Sequence, residues 1–239
     1  MFYIKFLNQN LVIKNVEVQM KKQLAAELLG TFTIVFAGTG AIAINAITSE
    51  PGHAGIAITF GFVIVAMIYS FAHISGAHFN PAVTIAFWIM GEFQRGKILP
   101  YIAAQICGAI LASYSLFFLL FENIVTMDKV AYLGATLPSG SVLQSFGFEL
   151  ILTFILMIVI SASAVHGKAI KSFSGIAIGF TVGLEAMFAG PITGASMNPA
   201  RSIAPALVSG HFEHLWIYII APIIGAALAT IVYIKLIKS

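Results

Sequence analysis

Two thirteen-residue segments constrain this chain more than any other feature. Residues 74–86, ISGAHFNPAVTIA, and residues 192–204, ITGASMNPARSIA, agree at 8 of 13 positions. The agreement extends to either side. Residues 101–113 and 218–230 also match at 8 of 13 positions, residues 55–67 and 175–187 match at 7, and Glu-Leu-x-x-Thr-Phe starts at both Glu27 and Glu149. The four offsets all lie between 117 and 122 residues. A fixed offset over four segments identifies one duplicated structural unit, so the fold consists of two copies of the same arrangement.

The environment of that fold follows from composition. Hydrophobic residues make up 59% of the chain and charged residues 9%, against about 25% charged in an ordinary soluble domain. Such a surface cannot be hydrated. Apolar runs at 24–46, 55–73, 98–121, 146–165, 174–190 and 215–234 supply six spans of the length a bilayer needs, leaving no room for a soluble catalytic domain. Two shorter apolar stretches, 79–91 and 197–208, each open on Asn-Pro and are too short to cross. The single cysteine, Cys107, excludes a disulfide framework and a Cys-based metal cluster, and packing is its default role. Basic residues lie in short gaps between spans, which argues against nucleic acid as a partner and for membrane lipid.

Charge also sets sidedness. With both termini cytoplasmic, Lys5, Lys14, Lys21, Lys22, Arg95, Lys97, Lys168, Lys171, Lys235 and Lys238 all fall inside, and Lys129 alone falls in an outer loop. That is a clear positive-inside bias, and it predicts a multi-pass cell-membrane protein. Residues 1–20 read as an N-terminal extension, either ahead of a natural start at Met20-Lys21-Lys22 or as an amphipathic cytoplasmic arm. Residues 21–236 read as one domain of two repeats, about 21–121 and 145–236.

Each repeat holds three full spans and one half-span. An odd number of crossings inverts the second copy about an axis in the membrane plane, and inverted repeats place their functional site near the midplane. The stretches before the Asn-Pro pairs, with Gly76, Ala77 and His78 in one and Gly194, Ala195 and Ser196 in the other, permit an extended backbone whose carbonyls face a lumen. Irregular backbone at that depth is tolerated only in such a place or buried in protein. Asn80 and Asn198 suit N-cap positions, with Pro81 and Pro199 at the first helical position and Ala82 and Ala200 following. Short helices then run outward to about Gly91 and Val208. Their positive ends meet near the bilayer centre, where the asparagine amides can donate to a passing neutral solute while cations and protons meet a barrier. The plain alternative, that each Asn-Pro merely caps a buried helix, does not account for two of them in matched half-length segments.

HFNPAVT at 78–84 and SMNPARS at 196–202, set in a six-span inverted repeat, resemble the aquaporin or major intrinsic protein family over about residues 21–236. GPITGASMNPARS resembles the plant nodulin-like branch and some microbial channels. The resemblance implies an all-α membrane fold of six transmembrane helices plus two re-entrant half-helices. It also implies one pore per protomer and, usually, a homotetramer. No cofactor and no metal are implied. Carried over by motif spacing, the family's narrowest point consists of Phe60, Ala186, Ala195 and Arg201. Arg201 also stands on its own physics: a lone guanidinium in an apolar segment must face water or carbonyls.

Strictly water-selective members typically carry His at the position of Ala186 and often Cys at that of Ala195. Two alanines predict a wider, more apolar constriction that admits glycerol, urea, ammonia or uncharged metalloid hydroxides beside water. Ser202, Ala206 and Tyr218 instead follow the water-channel pattern, although Ile219 replaces its usual Trp. Both a broader and a strictly water-selective channel therefore stay open.

Glu27 and Glu149 occupy equivalent repeat positions, and the family places such carboxylates against loop N–H groups as structural supports. Glu185 has no acidic counterpart, since Val65 stands there. It is expected either to be hydrogen-bonded within the bundle or to a neighbouring protomer, or to face the vestibule and bias permeation. His78 is expected at the inner vestibule, and His211 and His214 beside Glu213 in an outer loop. An ion-coupled transporter, which also uses inverted repeats and broken helices, would have Glu185 and Arg201 as its unexplained charges. Catalysis has no residues to carry it: there is no helix-borne metal motif, and Ser139 and Ser141 lie away from any buried histidine.

Overall fold

The structure, a computed structural model, describes residues 2–124 and 126–238, with side chains from Val16 onward, Asn123 excepted. The side chains of the first fifteen residues, Lys5 and Lys14 among them and with them most of those of the expected extension, lie outside that description. Among the described residues there are eight helices of nine residues or more and no strand: α1 (Phe2–Thr48), α2 (Gly52–Ser75), α3 (Pro81–Ile89), α4 (Ile98–Leu119), α5 (Val142–Ile160), α6 (Ser174–Thr193), α7 (Pro199–Ser209) and α8 (Ile217–Val232). Six stretches are long and apolar enough to cross a membrane: Val16–Thr48, Gly52–Ser75, Arg95–Leu119, Val142–Val165, Lys171–Thr193 and Ile217–Ile237. Helices α3 and α7 are the two half-length elements.

The repeats are visible in the packing. Helix α1 lies on α4 as α5 lies on α8, and α2 crosses its own counterpart α6. The half-helices exchange partners, α3 packing on α8 and α7 on α4. Two glycines permit the close pairs. A Cβ added at Gly108 would sit 2.2 Å from the Leu28 carbonyl oxygen, and one added at Gly225 would sit 2.2 Å from that of Leu150. Without a hydrophobic drive between helices in lipid, such backbone-to-backbone approach is a main source of packing energy.

Polarity is distributed as a lipid-facing protein requires. Leu99, Phe118 and Leu143 are exposed on the outside, while Glu27, Gln105, Glu149 and Arg201 are buried within. Helices α2 and α6 run slightly further than their apolar patterns suggest. Each ends on a left-handed glycine, Gly76 (φ 91°) and Gly194 (φ 85°), whose N–H closes onto Ala72 and Gly190 respectively. Only glycine takes that turn without strain, so the extended stretches begin at 76 and 194 and not at the isoleucines before them.

Candidate functional site

Asn80 caps α3 with extended backbone (φ −154°, ψ 122°), its Oδ1 accepting from Ala82 N at 2.9 Å. Asn198 caps α7 the same way (φ −148°, ψ 109°), with Ala200 N at 3.0 Å. The two caps also reach across the repeat axis. Asn80 Nδ2 donates to the Met197 carbonyl at 2.7 Å and Asn198 Nδ2 to the Phe79 carbonyl at 2.9 Å. Each amide carries two N–H groups, so one of each pair ties the half-helix ends together and the other is left for a ligand. Pro81 and Pro199 begin the helices, as their missing N–H allows.

The loops leading to the caps are held in costly conformations. Ala77 (φ 53°), Phe79 (φ 51°), Ala195 (φ 42°) and Met197 (φ 54°) are all left-handed, which persists only where surrounding bonds over-determine it. Two buried carboxylates supply those bonds. Glu27 accepts from His78 N at 3.0 Å, Phe79 N at 2.7 Å, Ser75 Oγ at 2.6 Å and Gln105 Nε2 at 2.8 Å. Glu149 accepts from Ser196 N and Met197 N, both at 2.8 Å, and from the Thr193 hydroxyl. A third matched pair lies beneath: His78 Nδ1 to Thr84 Oγ1 at 3.1 Å, and Ser196 Oγ to Ser202 Oγ at 2.5 Å.

A cavity of about 110 Å³ opens between the caps, well above the ~10–15 Å³ that one water requires. Phe60, His78, Asn80, Ala195, Asn198 and Arg201 line it, with Gly76, Ala77 and Ser196. Its remaining wall includes Ile64, Ile68 and Val182. His78 and Gly76 also line a second space of about 730 Å³ that reaches Phe93 and Tyr101. At the other end Arg201 is 2% exposed. Its Nη1 donates to the Gly134 carbonyl at 2.6 Å, and its guanidinium stands 5.3 Å from the centre of the Phe60 ring. Its Nε and Nη2 have no protein partner.

Three of the four positions expected to narrow the route, Phe60, Ala195 and Arg201, therefore come together. Ala186 does not reach the wall. It is buried in the apolar cluster that includes Phe60 and Ala195. Gly194 forms the corner behind Ala195 and is likewise off the wall. Glu185 departs from the vestibule expectation. It is 1% exposed, absent from the cavity wall and without a hydrogen-bond partner.

Sequence reading missed several contributors. Gln105 binds both Glu27 and Thr84 Oγ1, at 2.8 and 2.9 Å, and a lone amide inside an apolar span is the signal that marks it. Gly134 holds Arg201, and Thr136 Oγ1 donates to Ser202 Oγ at 2.9 Å; neither belongs to a repeat.

With both caps and the buried arginine on one cavity, and both carboxylates clamping the loops that form it, the comparison with known families is decisive: the Major intrinsic protein family model matches residues 14–233. The chain is a major intrinsic protein. It is 46% identical over 222 residues to a probable aquaporin NIP-type of Nicotiana alata, covering 93% of this chain and 80% of that one. It is 44% identical over 222 residues to Nodulin-26 of Glycine max, covering 91% and 79%. The X-ray structure of the aquaglyceroporin from Plasmodium falciparum superposes with a TM-score of 0.83 at 27% identity, covering 91% of this chain and 97% of that one. This major intrinsic protein is thus a multi-pass membrane channel of the class that carries water and small solutes, and not an enzyme.

Proposed function

We propose that the channel conducts water together with small uncharged solutes such as glycerol, ammonia, urea or metalloid hydroxides, and excludes protons and ions. One observation carries the reading: donor groups from Asn80, Asn198 and Arg201 converge on a single cavity that is otherwise lined largely by apolar side chains such as Ile64, Ile68 and Val182. A solute that accepts hydrogen bonds on one side and slides over hydrocarbon on the other fits that surface. The positive ends of α3 and α7, each worth about half a unit charge, together with the guanidinium raise the energy of any cation there.

The route is formed within a single chain, and residues 21–236 serve as one channel domain of two inverted repeats. Both termini are cytoplasmic on the charge bias, and the assembly is a homotetramer with one pore per protomer. Ala195 in place of a larger residue supports the broader solute range. A strictly water-selective channel is the second reading, favoured by the approach of the Arg201 guanidinium to 5.3 Å from the Phe60 ring centre. Stopped-flow light scattering of proteoliposomes shocked with hyperosmotic glycerol separates them. Fast shrinkage with accelerated re-swelling is expected. Fast shrinkage with re-swelling no faster than empty liposomes would establish the water-selective reading, and slow shrinkage would overturn both.

A further inference from the structure

Arg201 is held by a turn that has no counterpart in the first repeat. Ala131 (φ 47°, ψ 44°), Tyr132 (φ 49°, ψ 38°) and Leu133 (φ 57°, ψ 32°) are left-handed in succession, and Gly134 follows at φ 77°. Three consecutive non-glycine residues in that region are costly and need external restraint. Below, Leu133 is buried, and a Cβ on Gly134 would lie 2.7 Å from Thr39 Cβ. At one end the Gly134 carbonyl accepts from Arg201 Nη1. On the other side the Tyr132 ring packs on His211, centroids 4.3 Å apart.

His211 belongs to a charged cluster just past α7. Its Nε2 lies 3.8 Å from Glu213 Oε2, and His214 Nε2 lies 3.4 Å from Glu213 Oε1. Among the described residues, Glu213 is the only carboxylate paired with either imidazole, and Tyr132 is the only ring packed on His211, tilted by 37°. Asp128 and Lys129, just ahead of the turn, make no ion pair with the cluster.

Resting on the channel reading above, we infer that Tyr132 and His211 are positioning residues for the Arg201 side chain, and that the His211–Glu213–His214 cluster makes that positioning respond to pH on its side of the membrane. The sign follows from the geometry. Protonated imidazoles attract the Glu213 carboxylate between them, and a charged His211 binds the Tyr132 face more strongly. Acid conditions therefore clamp the turn and keep the guanidinium drawn back against Gly134. As the imidazoles lose their protons, those attractions vanish, the turn loosens, and Arg201 is free to enter a lumen already narrowed by Phe60.

The test is the osmotic water permeability of proteoliposomes between about pH 5 and 8, the interval in which imidazoles titrate, with a chelator in all buffers. Wild-type permeability should fall roughly twofold or more across that interval, as a modest coupling predicts. His211→Phe keeps the ring stack but cannot be protonated, and should be flat at the alkaline level. Glu213→Gln should behave the same way, and Tyr132→Ala should be low at every pH. A conducting wild type with a flat profile, or a His211→Phe variant that keeps the wild-type profile, would overturn this inference alone. A wild type no faster than empty liposomes would overturn the channel reading beneath it.

Discussion

His53 Nε2 donates to the Met187 carbonyl at 2.7 Å, joining the first turn of α2 to α6, and Met187 stands four residues before Pro191. A helical carbonyl normally receives the N–H four residues on, and proline has none to give. The histidine occupies the place that Pro191 leaves vacant. Removing it by His53→Ala should cost about 1 kcal/mol of stability, the typical net worth of one such bond. In a Pro191→Ala background the helix supplies its own donor, and the same change should cost almost nothing. Thermal unfolding of the four purified proteins of this cycle gives the coupling. Equal costs in both backgrounds would mean that His53 acts through packing beside Gly190, where a Cβ would lie 2.9 Å from its Cε1, instead.

Glu149 shows why the re-entrant loops require carboxylates. An ionised carboxylate only accepts, and this one meets two backbone N–H groups and a hydroxyl. Glu149→Gln places an amide NH₂ against one of those donors. Hydrogen bonds to charged groups are worth about 1.5–3 kcal/mol each, so a loss of about 2–4 kcal/mol is expected. The left-handed Ala195 and Met197 would relax with it, and water flux should fall at least about tenfold for a further ~1.4 kcal/mol of barrier. Thermal midpoints and proteoliposome shrinkage rates measure both effects. Full flux with the wild-type midpoint would show that the loop holds itself.

What the sequence revealed and what it concealed divide along the repeat. Asn80 and Asn198, Glu27 and Glu149, and the half-length of α3 and α7 were legible because duplication displays each twice and helix caps and span lengths obey local rules. The turn at 131–134 was not legible. It occurs once, and its left-handed residues are Ala, Tyr and Leu, which carry no local preference for that conformation. Ala186 and Glu185 fall between these cases. Motif spacing placed Ala186 at the constriction, with Glu185 its neighbour in sequence, but whether a side chain on α6 reaches the lumen depends on its length and on helix rotation, which spacing does not encode. Burial of Glu185 is a product of tertiary packing.

Replacing Ala186 by His and Ala195 by Cys tests how much of the solute range rests on missing bulk. Ala195 lies on the cavity wall and Ala186 just behind it, beside Phe60. The double variant adds volume on two sides and a donor on one, and should lower glycerol permeability by about tenfold relative to water, which corresponds to ~1.4 kcal/mol of differential barrier. Water flux should stay within a factor of about two, since a second donor replaces contacts that water makes elsewhere. Paired glycerol and water measurements on one preparation give the ratio. An unchanged ratio would place discrimination at Arg201 and Phe60 alone.

Charge exclusion has two separable sources. One is the pair of helix ends at Asn80 and Asn198, whose positive ends converge on the cavity. The other is Arg201, buried against Phe60 and Gly134. Arg201→Val removes the guanidinium and leaves the caps intact, so water should still pass while protons and methylammonium begin to leak. Asn80→Asp keeps a good N-cap but gives up the Nδ2 donation to the Met197 carbonyl and sets a negative charge at one helix end, cancelling about half a unit of positive charge there. The single variants should each leak modestly, and the double variant should leak more than the sum, because either barrier alone still limits the flux. Pyranine-loaded proteoliposomes under a pH gradient read this directly. If Arg201→Val excludes protons and methylammonium as well as the wild type, the barrier lies wholly at the half-helix ends and the arginine serves only to shape the constriction.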